Sequence, residues 1–191
     1  MTVRLWEIPS LYPNKHMGVF RDPNPTGNDD LRFKEGRILK NEPEIVFEFK
    51  NSTLDKLRQL GCLWTSLSIP LVNETIAGVL AEYAPGDFQL IPTRSHIGSA
   101  VTTEFSFINI THLCDCLDSK VSKLNHFDTG EVSGVKHLRF KDDTCMEEYN
   151  LGRLGILKGY ILVSETLYRA LSKLKFKGLR FAFDRDGDDF R

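Results

Sequence analysis

Leu71-Val72-Asn73-Glu74-Thr75-Ile76 and Leu162-Val163-Ser164-Glu165-Thr166-Leu167 are two versions of one stretch, and how they are read decides the fold. The copies align without a gap from Leu71 and Leu162 to Leu80 and Leu171, and one inserted residue brings Gly86 onto Gly178. Asn73 and Ser164 each present a short polar oxygen to the free N–H groups of a helix's first turn, and Glu74 and Glu165 place negative charge at its positive end. Ile76, Val79, Leu80 and Tyr83 then fall on one helical face, as do Leu167, Ala170, Leu171 and Leu174. Gly86 and Gly178 are expected to stop or turn the chain. Phe88 and Leu90, or Leu179, Phe181 and Phe183, follow at the two-residue period of a strand. A cap, a helix, a turn and a strand, used twice, predict an α+β single domain with short helices packed on a mostly antiparallel sheet.

The same alternation extends outward. Residues 2–7 read as a short strand, and Pro9, Pro13, Gly18, Pro23, Pro25 and Gly27 make residues 9–30 a long loop. Ile45, Phe47 and Phe49 mark a strand, Leu54, Leu57 and Leu60 a short helix that Gly61 stops, and Ser52 with Asp55 resembles a capping box. Residues 94–100 read as a connecting loop, and Phe105 to Ile110 as a second clear strand. Leu113, Cys116 and Leu117 share one face of a predicted short helix. Val135 to Phe140 is a predicted strand and Lys141 to Thr144 a charged turn. Residues 1–40 thus form an N-terminal strand and loop of the same domain, 41–183 its core, and 184–191 an acidic tail.

Composition narrows the function classes. With 191 residues, the chain can bury roughly 70% of its unfolded surface, and thirteen phenylalanines argue against disorder. A formal net charge of −1 argues against a nucleic-acid binder with a basic face. No apolar run reaches the length of a membrane span, and the first residues lack a signal-peptide layout, so a cytoplasmic protein is expected. In that reducing compartment Cys62, Cys114, Cys116 and Cys145 read as free thiols. Charge is uneven along the chain: residues 41–90 carry a balance of −4 and residues 131–180 one of +4.

No catalytic constellation emerges. The densest set of metal-ligand types is His112, Cys114 and Cys116, but no second Cys or His pair accompanies it at zinc spacing. Cys114 or Cys116 reads better as a small buried residue. The Asp184 to Asp189 run has its glycine at the wrong place for a calcium loop. Neither a nucleophile elbow nor a phosphate-cradling glycine loop is present. The expectation is no cofactor and no metal. A small enzyme or ligand-binding domain of unfamiliar fold remains the competing class.

Several blocks resemble a bacterial polymorphic-toxin immunity family, immunity protein family eleven, over roughly residues 65–183. They are Pro70-Leu71-Val72-Asn73-Glu74, Leu90-Ile91-Pro92, Asn109 followed by Asp115, Leu117, Asp118 and Ser122, then Leu162 to Glu165 and Gly178-Leu179-Arg180-Phe181. Asn73 stands where the family has serine. The resemblance implies a non-enzymatic cytoplasmic protein that binds and neutralises a cognate toxin domain. Asn109, Asp115 and Asp118 read as internal caps ahead of toxin contacts. If the toxin is basic, residues 41–90, with Glu44, Glu48 and Glu82, and the loop 9–30 are its expected docking surface.

Overall fold

Ile45, Phe47 and Phe49 are buried while Val46 and Glu48 reach the surface, and this two-residue period lays the segment flat on a core. The structure, a computed structural model, describes residues 3–21, 29–40, 44–183 and 185–186. Among these the strands are β1 (Arg4–Trp6), β2 (Val19–Arg21), β3 (Ile45–Phe49), β4 (Cys62–Leu63), β5 (Leu71–Val72), β6 (Phe88–Ile97), β7 (Ala100–Thr102), β8 (Ser106–Ile110), β9 (Leu113–Cys114), β10 (Lys123–His126), β11 (Val132–Leu138), β12 (Leu151–Leu154), β13 (Ile161–Val163), β14 (Phe181–Ala182) and β15 (Arg185–Asp186). The helices are α1 (Leu54–Leu60), α2 (Glu74–Tyr83) and α3 (Glu165–Ser172).

These strands make an α+β fold of three sheets. The largest runs β2-β3-β6-β8-β5-β4 with β7 beside β6, the second β14-β1-β13-β12-β9, and the third β10-β11-β15. Pairing is antiparallel except for β3 with β6 and β9 with β12. The second sheet is a wall between two cores. Trp6, Ile161 and Val163 face the larger core, which holds Trp64, Phe47, Phe107 and the buried sides of the helices. Val3, Leu5 and Leu162 face a smaller core with Leu117, Val135, Leu138 and Leu154.

Several expectations change. Residues 94–97 continue β6 as strand: Phe88–Pro92 pairs with β8, and Thr93–Ile97 with β3. Their polarity suggested a loop, but Arg94 points out to solvent, while Thr93 is buried and its hydroxyl donates to Phe105 O at 2.7 Å. Residues 113–117 are extended, with Cys114 and Cys116 buried on one side and Leu113 and Asp115 exposed on the other. That is a strand period, and β9 lies along β12. The N-cap of α1 is Thr53, whose side chain makes no capping bond, so the Ser52–Asp55 box does not form. Gly61, at φ +67°, does stop that helix. Part of the loop 9–30 is strand β2, and residues 22–28 lie outside the described residues, as does most of the tail 184–191.

Candidate partner-binding surface

Register fixes what the large sheet shows to solvent. Val19 stands opposite Glu48, Glu48 opposite His96, and His96 opposite Val101, so these four form a row across β2, β3, β6 and β7. Arg21, Val46 and Arg94 form the next row. The residues between them, Phe47 and Ser95, point into the core. Val19 and Val101 are 41% and 54% exposed. Around them Arg94 pairs with Glu44 at 2.8 Å, and Arg21 pairs with Glu48. The face is therefore open, partly apolar and close to electrically balanced.

Among the described residues, 44–90 accordingly do not present one acidic patch. Glu44 and Glu48 share this face but are each held by an arginine, and Asp55 contacts Arg58 at 3.3 Å. Glu82 stands on the exposed side of α2, outside both rows. Asp87 is buried and accepts the N–H groups of Asn150 and Leu151 at 2.7 and 3.0 Å. Counting charge along the sequence missed these arginines because Arg21 lies outside the counted window and Arg94 lies just beyond its end.

Of the remaining motif residues most sit in the fold's own joints, but Glu74 and Asp115 are exposed, and Asp115 is not the internal cap expected of it. Asn73 Oδ1 accepts from Ile76 N at 3.0 Å and Ser164 Oγ from Leu167 N at 3.2 Å. Glu74 is exposed, whereas Glu165 is buried and meets Arg4 and Arg169, each at 2.9 Å. Burial works against the Glu165 charge, but hydrogen bonds from Arg169 and Arg4 outweigh it and hold this carboxyl below its ordinary range. Asn109 Nδ2 donates to Arg37 O and to Gln89 Oε1, both at 2.8 Å. Asp118 Oδ1 accepts from Lys120 N at 3.0 Å, and Asp115 receives Lys141 at 2.6 Å on the surface. Gly178 is not a left-handed stop: Lys175, at φ +55°, takes that conformation after α3. Gly178 is needed for close approach, since a Cβ there would sit 2.0 Å from Cys62 O.

The thiols and histidines offer no activated nucleophile among the described residues. Cys116 and Cys145 are joined in a disulfide, which corrects the expectation of four free thiols. The extended 113–117 segment and the turn at 143–146 bring their Cα atoms to 5.2 Å, a proximity that residues 29 apart in sequence do not advertise. Cys62 and Cys114 are free and buried, and burial raises both thiols, Cys114 to about 11, so both stay protonated at neutral pH. His112 stacks on Tyr149 at 3.9 Å and lies 3.5 Å from Asp87. Three or more His, Cys, Asp or Glu side chains nowhere converge among the described residues as a metal site would require. No described helix is long and apolar enough to cross a membrane.

The chain belongs to the immunity protein family (Imm11), whose profile matches residues 13–183. No curated protein matches it.

Proposed function

We propose that the chain neutralises a cognate toxin by one-to-one association, without chemistry of its own. The observation that carries this reading is family membership over residues 13–183. The outward face of β2, β3, β6 and β7 is the docking surface that fits it best. Val19 and Val101 offer a desolvatable centre, and the Arg21–Glu48 and Arg94–Glu44 pairs offer a rim whose charges can be re-paired by a partner. An interface of ordinary size, roughly 1,200–2,000 Å² in total, would cover such a face and reach the adjoining residues 9–21.

The test is to look beside this gene for a toxin domain and to measure whether the chain binds it, with cell survival as a second readout. Val101→Asp should weaken binding by about tenfold or more, as loss of a central contact does. Glu44→Lys and Glu48→Lys should slow association, more at low salt than at high salt. Glu82→Lys reports whether α2 borders the interface. Unchanged kinetics in all the sheet-face variants would remove this face, and absence of binding by the parent chain would remove the function.

A further inference from the structure

The strap from Pro9 to His16 folds as two proline-braced turns, in which Tyr12 N donates to Pro9 O and His16 N to Pro13 O, each at 2.8 Å. Tyr12 is buried and locks the strap down: its hydroxyl accepts from Trp64 N at 3.2 Å and donates to His16 O at 3.2 Å. Between the strap, α1 and Lys177 lies a cavity of about 350 Å³. Leu11, Tyr12 and Leu60 supply apolar lining, and His16, Lys56 and Lys177 supply nitrogen.

Three features of this lining point the same way. His16 is only 7% exposed, yet its Nδ1 has no hydrogen-bond partner among the described residues. Buried polar atoms are nearly always satisfied, and His16 is one of the residues lining the cavity, so its unpaired nitrogen is left for a ligand atom to engage. Lys56 and Lys177 are exposed and make no ion pair among the described residues. Among the described residues no carboxylate lines the cavity, in a chain whose net charge is −1. At this volume the cavity is near the small end of ligand pockets.

We infer that this cavity binds a carboxylate carried on a short apolar stem. Lys56 and Lys177 take the charge, His16 Nδ1 donates to one carboxylate oxygen, and Leu11, Tyr12 and Leu60 receive the stem. In the free protein, burial and the nearby charges of Lys15 and Lys56 lower the His16 pKa from its ordinary 6.5. Burial also raises the Tyr12 hydroxyl far out of the neutral range, so it stays uncharged. A bound carboxylate faces the imidazole with the opposite charge, so binding favours the protonated ring and tightens as pH falls toward the lowered His16 pKa. A free small acid and a glutamate side chain of the toxin carry the same chemistry. Carboxylate binding here does not depend on the toxin reading.

The experiment uses hexanoate as the probe and the ¹⁵N resonances of the His16 imidazole as the readout, on the full chain. A saturable shift at His16, stronger at lower pH and weakened roughly tenfold by Lys56→Glu or Lys177→Glu, is the expected result. Both lysines are exposed, and the amide spectrum checks that each variant folds. Adding the toxin domain separates the sources: displacement of hexanoate assigns the site to a toxin carboxylate, and coexistence assigns it to a free acid. No saturable shift at His16, or an equal response when both lysines are reversed, overturns the inference and leaves toxin association to be judged separately.

Discussion

In the first cap-helix segment Asn73 receives the Ile76 N–H and Glu74 faces solvent; in the second, Ser164 receives the Leu167 N–H but Glu165 is buried between Arg4 and Arg169. The helices α2 and α3 then pack on one another. Beyond them the copies part. The first turns at Gly86, φ +88°, into ten-residue β6 in the middle of the largest sheet. The second turns at Lys175, presses Gly178 against Cys62 and Leu60, and ends in two-residue β14 at a sheet edge. Capping is local chemistry and is the same in both segments. The path of the chain after a helix is decided by the surface on which it lands.

Breaking that landing should have the largest effect. Gly178→Ala pushes a Cβ into two backbone carbonyls, at 2.0 and 2.8 Å, and is expected to cost about 3 kcal/mol or more by denaturant unfolding. Gly86→Ala meets open space and should cost only about 1 kcal/mol through its backbone conformation. Next comes the acid after each cap. Glu165→Gln strands the buried Arg4 guanidinium and should cost about 3 kcal/mol, against a few tenths for Glu74→Gln. The folded Glu165 pKa lies below the unfolded one, so its contribution is full at neutral pH and is lost as pH falls through that depressed value. An acid unfolding profile of Glu165→Gln should therefore be flatter than that of the parent chain below pH 4.5.

Capping itself should be nearly equal in the two copies. Asn73→Ala and Ser164→Ala should each cost about 1 kcal/mol, with Ser164 the more sensitive because its hydroxyl also donates to Asn150 Oδ1 at 2.5 Å. One change is a gain: Gly78, inside α2, has open space where a Cβ would go, and Gly78→Ala should stabilise by roughly 0.5–1 kcal/mol. Thermal melts resolve that difference.

Legibility in the sequence divides along the same line. Both caps, the faces of α2 and α3, and the alternation of β3 arise from side chains within one element, and each is visible in the chain. Strands β12 and β13 escaped notice because they are buried on both faces of the wall between the cores, which erases alternation. The Arg4–Glu165 pair joins residues 161 apart, and the Cys116–Cys145 link forms only once β9 is extended. The sheet-face rows needed register across four strands. The His16 cavity needed the strap to be folded against α1. Neither is encoded in any local spacing.

The central claim is that this chain acts by occupying a toxin and performs no chemistry on it. Titrating the chain into a fixed amount of a candidate cognate toxin domain and measuring residual toxin activity tests it directly. The account predicts a linear fall that ends at one equivalent and does not deepen with time. Complete inactivation by a small fraction of an equivalent, progressing as the mixture stands, would contradict it.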